Sequence, residues 1–228
     1  MDHNKKSKIY VIASVIFSTL VMCLVDGVLC PPYFYKSLFK IVLFLLIPSG
    51  YFLWFGEKGT YLKQLFQPGK KSFLLALGLG LGVFTVILTA YFVLGSFIDL
   101  SGIKDSLVSG VGVTADNFLW VAIYISLVNS LLEEFFFRGY SFLILKQETN
   151  RWFAYGFSAA MFAIYHVGMT SGWFGLGIYI LSMLGLFVGG CLFNYLNERC
   201  ESIYPSWLVH MCANFAINTV GLILFGIL

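Results

Sequence analysis

Residues 117–142 read NFLWVAIYISLVNSLLEEFFFRGYSF. The first 16 positions, Asn117 to Leu132, carry no charge; the run then meets Glu133, Glu134 and Arg138 and turns apolar again. About 20 apolar residues span a bilayer as a helix, and an ionisable side chain inside such a span is costly, so each one needs an explanation. Glu134 and Arg138 are four apart, share a helix face and can pair. Glu133 lies about 100° around the helix from Glu134 and has no second basic residue near it in sequence. The stretch predicts a membrane helix with one structural ion pair and one carboxylate facing a different environment.

The whole chain supports a membrane reading. Of its 228 residues 59% are hydrophobic and only 11% charged, with a mean hydropathy of +0.87. An average soluble domain is about one-quarter charged. This excludes an ordinary soluble enzyme, a disordered tail and a nucleic-acid-binding domain, and the net charge of +3 points to no acidic partner. The five cysteines are odd in number and form no C-x-x-C pair. They read as buried free thiols, with no disulfide framework and no zinc ribbon.

The expected fold class is all-α: a polytopic helical membrane protein of about seven transmembrane helices, with residues 1–228 as one integral-membrane domain. The spans fall at about Ile9 to Val25, Ser37 to Phe55, Ser72 to Ile98, Asn117 to Lys146, Trp152 to Met169, Trp173 to Leu196 and Pro205 to Leu228. The first reads as an uncleaved helix, because no small-x-small site follows it. The second holds Pro48, a candidate kink. Glu57 to Lys71 is a polar connection, Asp99 to Asp116 a loop, and Asn197 to Ser202 a polar turn. Gly78, Gly80 and Gly82 suggest close helix packing rather than a phosphate loop.

Orientation follows from Lys and Arg. With the N-terminus cytoplasmic, Lys5, Lys6, Lys8, Lys58, Lys63, Lys70, Lys71, Lys146, Arg151 and Arg199 lie inside, and Lys36, Lys40 and Lys104 outside. Ten against three supports an N-in/C-out arrangement.

Two further motifs carry polar groups into apolar helices: Phe162-x-x-x-His166 and His210-x-x-x-Asn214. Either pair alone is more often a helix–helix hydrogen bond than a site. Glu133, His166, His210 and Asn214 together, on three helices, look like a site. A carboxylate with two imidazoles can orient and deprotonate water, and imidazole and amide N–H groups can stabilise an oxyanion. The alternative use of Glu133, His166 and His210 is the His₂Glu ligand set of a catalytic zinc. There is no H-E-x-x-H, no G-x-S-x-G and no evident Ser/His dyad, so water-mediated hydrolysis is the favoured reaction class.

Taken in order, Glu133-Glu134…Arg138, Phe162…His166 and His210…Asn214 resemble the CAAX-protease and bacteriocin-processing (CPBP or Abi) family of intramembrane endopeptidases, whose signature is E-E-x-x-x-R, F-x-x-x-H and H-x-x-x-N. Tyr204-Pro205-Ser206-Trp207 looks like that family's lead-in to the third motif, and the resemblance covers residues 119–217. It implies peptide-bond hydrolysis in a membrane-embedded cavity open to the cytoplasm. Glu133 would activate water with help from His166, and His210 and Asn214 would hold the oxyanion. Glu134, Arg138 and Phe162 would support the site. A metal-free glutamate mechanism is favoured; a zinc-dependent version would use Glu133, His166 and His210. The implied partners are membrane lipids and a peptide or membrane-protein substrate, with no nucleic acid, in a prokaryotic cytoplasmic membrane. The competing class is a non-enzymatic membrane scaffold or bacteriocin-immunity protein.

Overall fold

The computed structural model describes every residue except 1–2, 56–58, 68 and 111, so Glu57 and Lys58 of the basic connection lie outside the described residues. The chain runs through α1 (Asn4–Leu29), α2 (Tyr33–Phe55), α3 (Gly59–Leu65), α4 (Ser72–Phe97), α5 (Ser101–Asp105), α6 (Ala115–Glu148), α7 (Arg151–Tyr165), α8 (Val167–Thr170), α9 (Leu176–Cys200) and α10 (Tyr204–Leu224). No strand occurs among the described residues. Among the described residues six helices, α1, α2, α4, α6, α9 and α10, are long and apolar enough to cross a membrane. At 15 residues α7 is shorter than these.

Local chemistry sets the helix ends. Asn117 Oδ1 accepts from the Thr114 backbone N–H at 2.8 Å, one half of a capping box that starts α6. Asn150 Oδ1 accepts from Trp152 N at 2.8 Å and starts α7. Pro205 falls in the first turn of α10, where its missing N–H removes no helical bond. Pro48 instead lies inside α2. It cannot donate to the Phe44 carbonyl, and a π-helical turn occupies Val42–Leu46 beside it.

Several sequence expectations are corrected. α9 continues through Glu198 to Cys200, so the expected turn at Asn197 to Ser202 is mostly helix. The connections 57–71 and 99–116 contain α3 and α5. Of the three glycines in α4, only Gly80 makes the expected close approach: a Cβ there would meet Cys212 Sγ of α10 at 2.8 Å, whereas Gly78 and Gly82 face open space. All five cysteines are free, as expected, but none is fully buried and Cys30 is exposed.

The largest correction concerns Lys36 and Lys40. They do not lie outside the bilayer-crossing part of the chain. Both sit in α2, less than a tenth exposed. Lys36 Nζ pairs with Asp26 Oδ1 of α1 at 2.9 Å, and Lys40 pairs with Glu133.

Aromatic packing fixes α6 between the other helices. Phe44 of α2 stacks on Phe136 of α6 with centroids 4.2 Å apart and meets Phe137 edge-on. Tyr165 of α7 and Tyr140 and Tyr51 join the same cluster. α4 lies along α10 and α7 along α9. The outer faces are strongly apolar, with Leu53 at 87% and Phe97 at 84% exposure. Water would make such a surface unstable; lipid matches it. The chain is a multi-pass helical membrane protein.

Candidate functional site

The site is built on α6, whose geometry is interrupted by π-helical stretches at Ile125–Asn129 and Glu134–Phe142 with a short α-helical turn, Ser130–Glu133, between them. Such bulges re-aim side chains relative to a regular helix. They direct Glu133 and Glu134, both almost fully buried, into the protein interior.

Glu134 and Arg138 form the expected pair, with Arg138 Nη1 3.2 Å from Glu134 Oε1. The guanidinium is fully buried and lies 4.0 Å above the Phe162 ring and 5.0 Å from that of Phe193. Phe162 also meets the His166 ring at 4.7 Å and the His210 ring at 5.8 Å. It is therefore the apolar wall on which both imidazoles and the arginine rest.

His166 stands where α7 ends. Its backbone N–H bonds to Ala163 O, tightening the last turn. Its Nδ1 lies 2.7 Å from Phe162 O. A carbonyl only accepts, so Nδ1 carries the proton and Nε2 is free. Gly168, two residues on, lets this break press against α1: a Cβ there would stand 2.6 Å from Cys23 O. His210 Nδ1 lies 2.8 Å from Glu134 Oε1. The carboxylate accepts that proton too, which again leaves Nε2 free.

Both free nitrogens face one atom. Glu133 Oε2 is 3.9 Å from His166 Nε2 and 3.7 Å from His210 Nε2. It is buried and has no hydrogen-bond donor among the described residues. The other oxygen is crowded with donors: Asn129 Nδ2 at 2.8 Å, Tyr165 OH at 3.1 Å and Lys40 Nζ at 3.2 Å all point to Oε1. One oxygen is thus fully held and the other is left open beside two ring nitrogens. A water there can donate one hydrogen to Oε2 and the other to a ring Nε2.

The structure brings Glu133, His166, His210, Glu134, Arg138 and Phe162 together. Asn214 lies one turn beyond His210 on α10, and its Nδ2 donates to Ile125 O at 3.3 Å. Glu133 has no second basic residue near it in sequence, yet it too is ion-paired: Lys40 reaches it from another helix. Sequence reading missed Lys40, Asn129, Tyr165 and Phe193. Two of these had local signals: Asn129 is four residues before Glu133, and Tyr165 precedes His166.

The residues do not fit a zinc ion as they stand. Ligands at about 2.1 Å around a tetrahedral zinc lie about 3.4 Å from one another, closer than the two nitrogens are to Oε2. Lys40 already places a cation on the same carboxylate. Among the described residues no group of three or more His, Cys, Asp and Glu is placed to hold a metal ion.

Residues 115–216 match a family model described as Type II CAAX prenyl endopeptidase Rce1-like. No curated protein and no solved structure matches the chain. The matched segment starts with α6 and ends within α10, and so contains every residue of the three motifs. Over residues 115–216 this membrane protein carries an Rce1-like domain of the CAAX-protease (CPBP) family.

Proposed function

We propose that the chain is an intramembrane endopeptidase that hydrolyses a peptide bond in a membrane-associated or lipidated substrate, in a prokaryotic cytoplasmic membrane. The observation that carries this reading is the open Glu133 Oε2 facing the Nε2 atoms of His166 and His210. Glu133 takes a proton from water while the water oxygen bonds to the scissile carbonyl carbon. His166 orients that water. The carbonyl oxygen becomes an oxyanion, stabilised by the Asn214 amide N–H and by His210 once its Nε2 also carries a proton, the doubly protonated ring resting on Glu134. When the C–N bond breaks, the proton held by Glu133 passes to the leaving amine. Glu134 orients His210 and, with Arg138, sets its charge environment.

The topology that goes with this reading is seven spans, N-in/C-out, with α7 as the additional crossing. Its support is the basic-residue count, which the inward pairing of Lys36 and Lys40 sharpens: only Lys104 of the three remains on the outer side. The mechanism needs no metal.

The test compares peptides released in cells carrying the wild type with those carrying Glu133→Gln. Substrates cut by the wild type alone, and still cut after thorough chelation, are the expected result. Full biological activity in Glu133→Gln would instead favour a non-enzymatic scaffold or immunity protein. Loss of cleavage on chelation would favour zinc.

A further inference from the structure

Lys40 is a buried cation that the hydrolytic steps above leave without a part. It sits on α2, 4% exposed. Its Nζ lies 3.2 Å from Glu133 Oε1, donates to Asn129 Oδ1 and stands 5.0 Å from the centre of the Tyr165 ring. Asn129 is itself bonded to Oε1 through its other amide atom. Lys40, Asn129 and Glu133 therefore form a closed triangle, and Tyr165 adds a fourth member at the same oxygen. The neighbouring basic residue on the same face, Lys36, is taken by Asp26. Arg138 is taken by Glu134. Among the described residues Lys40 is thus the cation left to balance Glu133, and the titratable groups that also act on that carboxylate are His166, His210, Tyr165 and Tyr33.

A carboxylate buried away from water is strongly disfavoured unless a cation and hydrogen bonds compensate it. Here every donor is on Oε1 and none on Oε2. We propose that Lys40 is a positioning residue: its ammonium balances the Glu133 charge and, with Asn129 and Tyr165, anchors Oε1 so that Oε2 alone faces the two histidines. This rests on the endopeptidase reading, in which Glu133 must be an anion with one oxygen free to take a proton. Lys40 does not touch the reacting atoms; it acts through Glu133.

The experiment uses the full chain in lipid nanodiscs, with infrared spectroscopy and cleavage assays on peptides that wild type cuts and Glu133→Gln does not. Lys40→Met should turn Glu133 into a protonated acid at neutral pH. A protonated-carboxyl band should appear that is absent from wild type, from Lys40→Arg and from Lys40→Met/Glu133→Gln. Cleavage by Lys40→Met should fall about 10²-fold, the scale of losing a general base, with kcat carrying the loss. It should recover as pH rises, and Lys40→Arg should restore most of it. A folded Lys40→Met with no new band and an unshifted pH profile would overturn the proposal.

Should Lys40→Met fold poorly, the double variant decides. Charge balance predicts that Lys40→Met/Glu133→Gln melts above both single variants, since each single strands one buried charge; a double variant as unstable as Lys40→Met assigns Lys40 to packing and overturns the proposal. Cleavage that survives Glu133→Gln would sink the endopeptidase reading alone, because the infrared comparison still reports on the Lys40–Glu133 pair.

Discussion

His210 Nδ1 lies 2.8 Å from Glu134 Oε1, the same oxygen that lies 3.2 Å from Arg138 Nη1. One carboxylate oxygen thus ties an imidazole on α10 to a guanidinium one turn along α6. The tie fixes which ring nitrogen of His210 carries its proton and where the other points. Glu134→Gln keeps the size of the side chain and removes the charge. It should lower kcat by up to about 10⁴-fold, the loss seen when the carboxylate that orients a catalytic histidine is neutralised. KM should change little. A steady-state comparison checks this, and an unchanged kcat would show that His210 needs no orienting charge.

Asp26 and Lys36 form a second buried pair, separate from the cluster around Glu133. Their side chains are 0% and 8% exposed, and Nζ and Oδ1 are 2.9 Å apart. Removing one partner of a buried pair strands the other charge, at about 3–5 kcal/mol. Lys36→Met should therefore destabilise the protein by that order, and Lys36→Met/Asp26→Asn should recover most of the loss. Thermal unfolding of wild type, Lys36→Met, Asp26→Asn and the double variant in one lipid system gives the coupling directly. Additive losses would mean that the contact contributes nothing as a pair.

These pairs show where sequence reading succeeded and where it stopped. Glu133, Glu134, Arg138, His166 and His210 stood out because each interrupts an apolar helix, and such residues have few innocent explanations in a membrane. The Glu134–Arg138 pair was legible because helical geometry alone joins positions four apart. Lys40 and Glu133 are 93 positions apart, and only the packing of α2 against α6 joins them. No periodicity in either helix encodes that approach. The same limit hid Asp26, whose partner lies on the next helix. The π-helical stretches of α6 were also invisible: Ile125–Asn129 contains no Gly or Pro, and Glu134–Phe142 contains only Gly139, which by itself marks no change of helix type.

Gly168 joins the end of α7 to α1. A Cβ there would meet the Cys23 carbonyl oxygen at 2.6 Å and Gly27 N at 3.0 Å, both backbone atoms with no rotamer to move. Gly168→Ala must therefore shift a helix, at about 1–3 kcal/mol. His166 is two residues away and should move with it, so kcat should fall along with the melting temperature. Gly78→Ala, with nothing within 4 Å of the added atom, serves as the control and should change neither. Equal behaviour of the two variants would remove close packing as the reason for Gly168.

Asn214 offers a choice between two roles on the same helix face. Trp207 Nε1 donates to Leu127 O at 3.1 Å, Asn214 Nδ2 to Ile125 O at 3.3 Å and Asn218 Nδ2 to Ala122 O at 3.3 Å. The row clamps α10 to α6 at and just before its first π-helical stretch, where Ile125 O and Ala122 O also accept from the backbone N–H groups of Ser130 and Ile125. An amide nitrogen has two hydrogens, so Asn214 can hold Ile125 and still offer one to an oxyanion. Asn218 lies one turn further from His210. Asn218→Ala should cost about 1 kcal/mol of stability and leave kcat intact. Asn214→Ala should cost the same stability and also lower kcat about 10²–10³-fold, as the loss of one oxyanion donor does. Measured side by side, equal kcat values for the two variants would leave Asn214 a clamp and require another donor for the oxyanion.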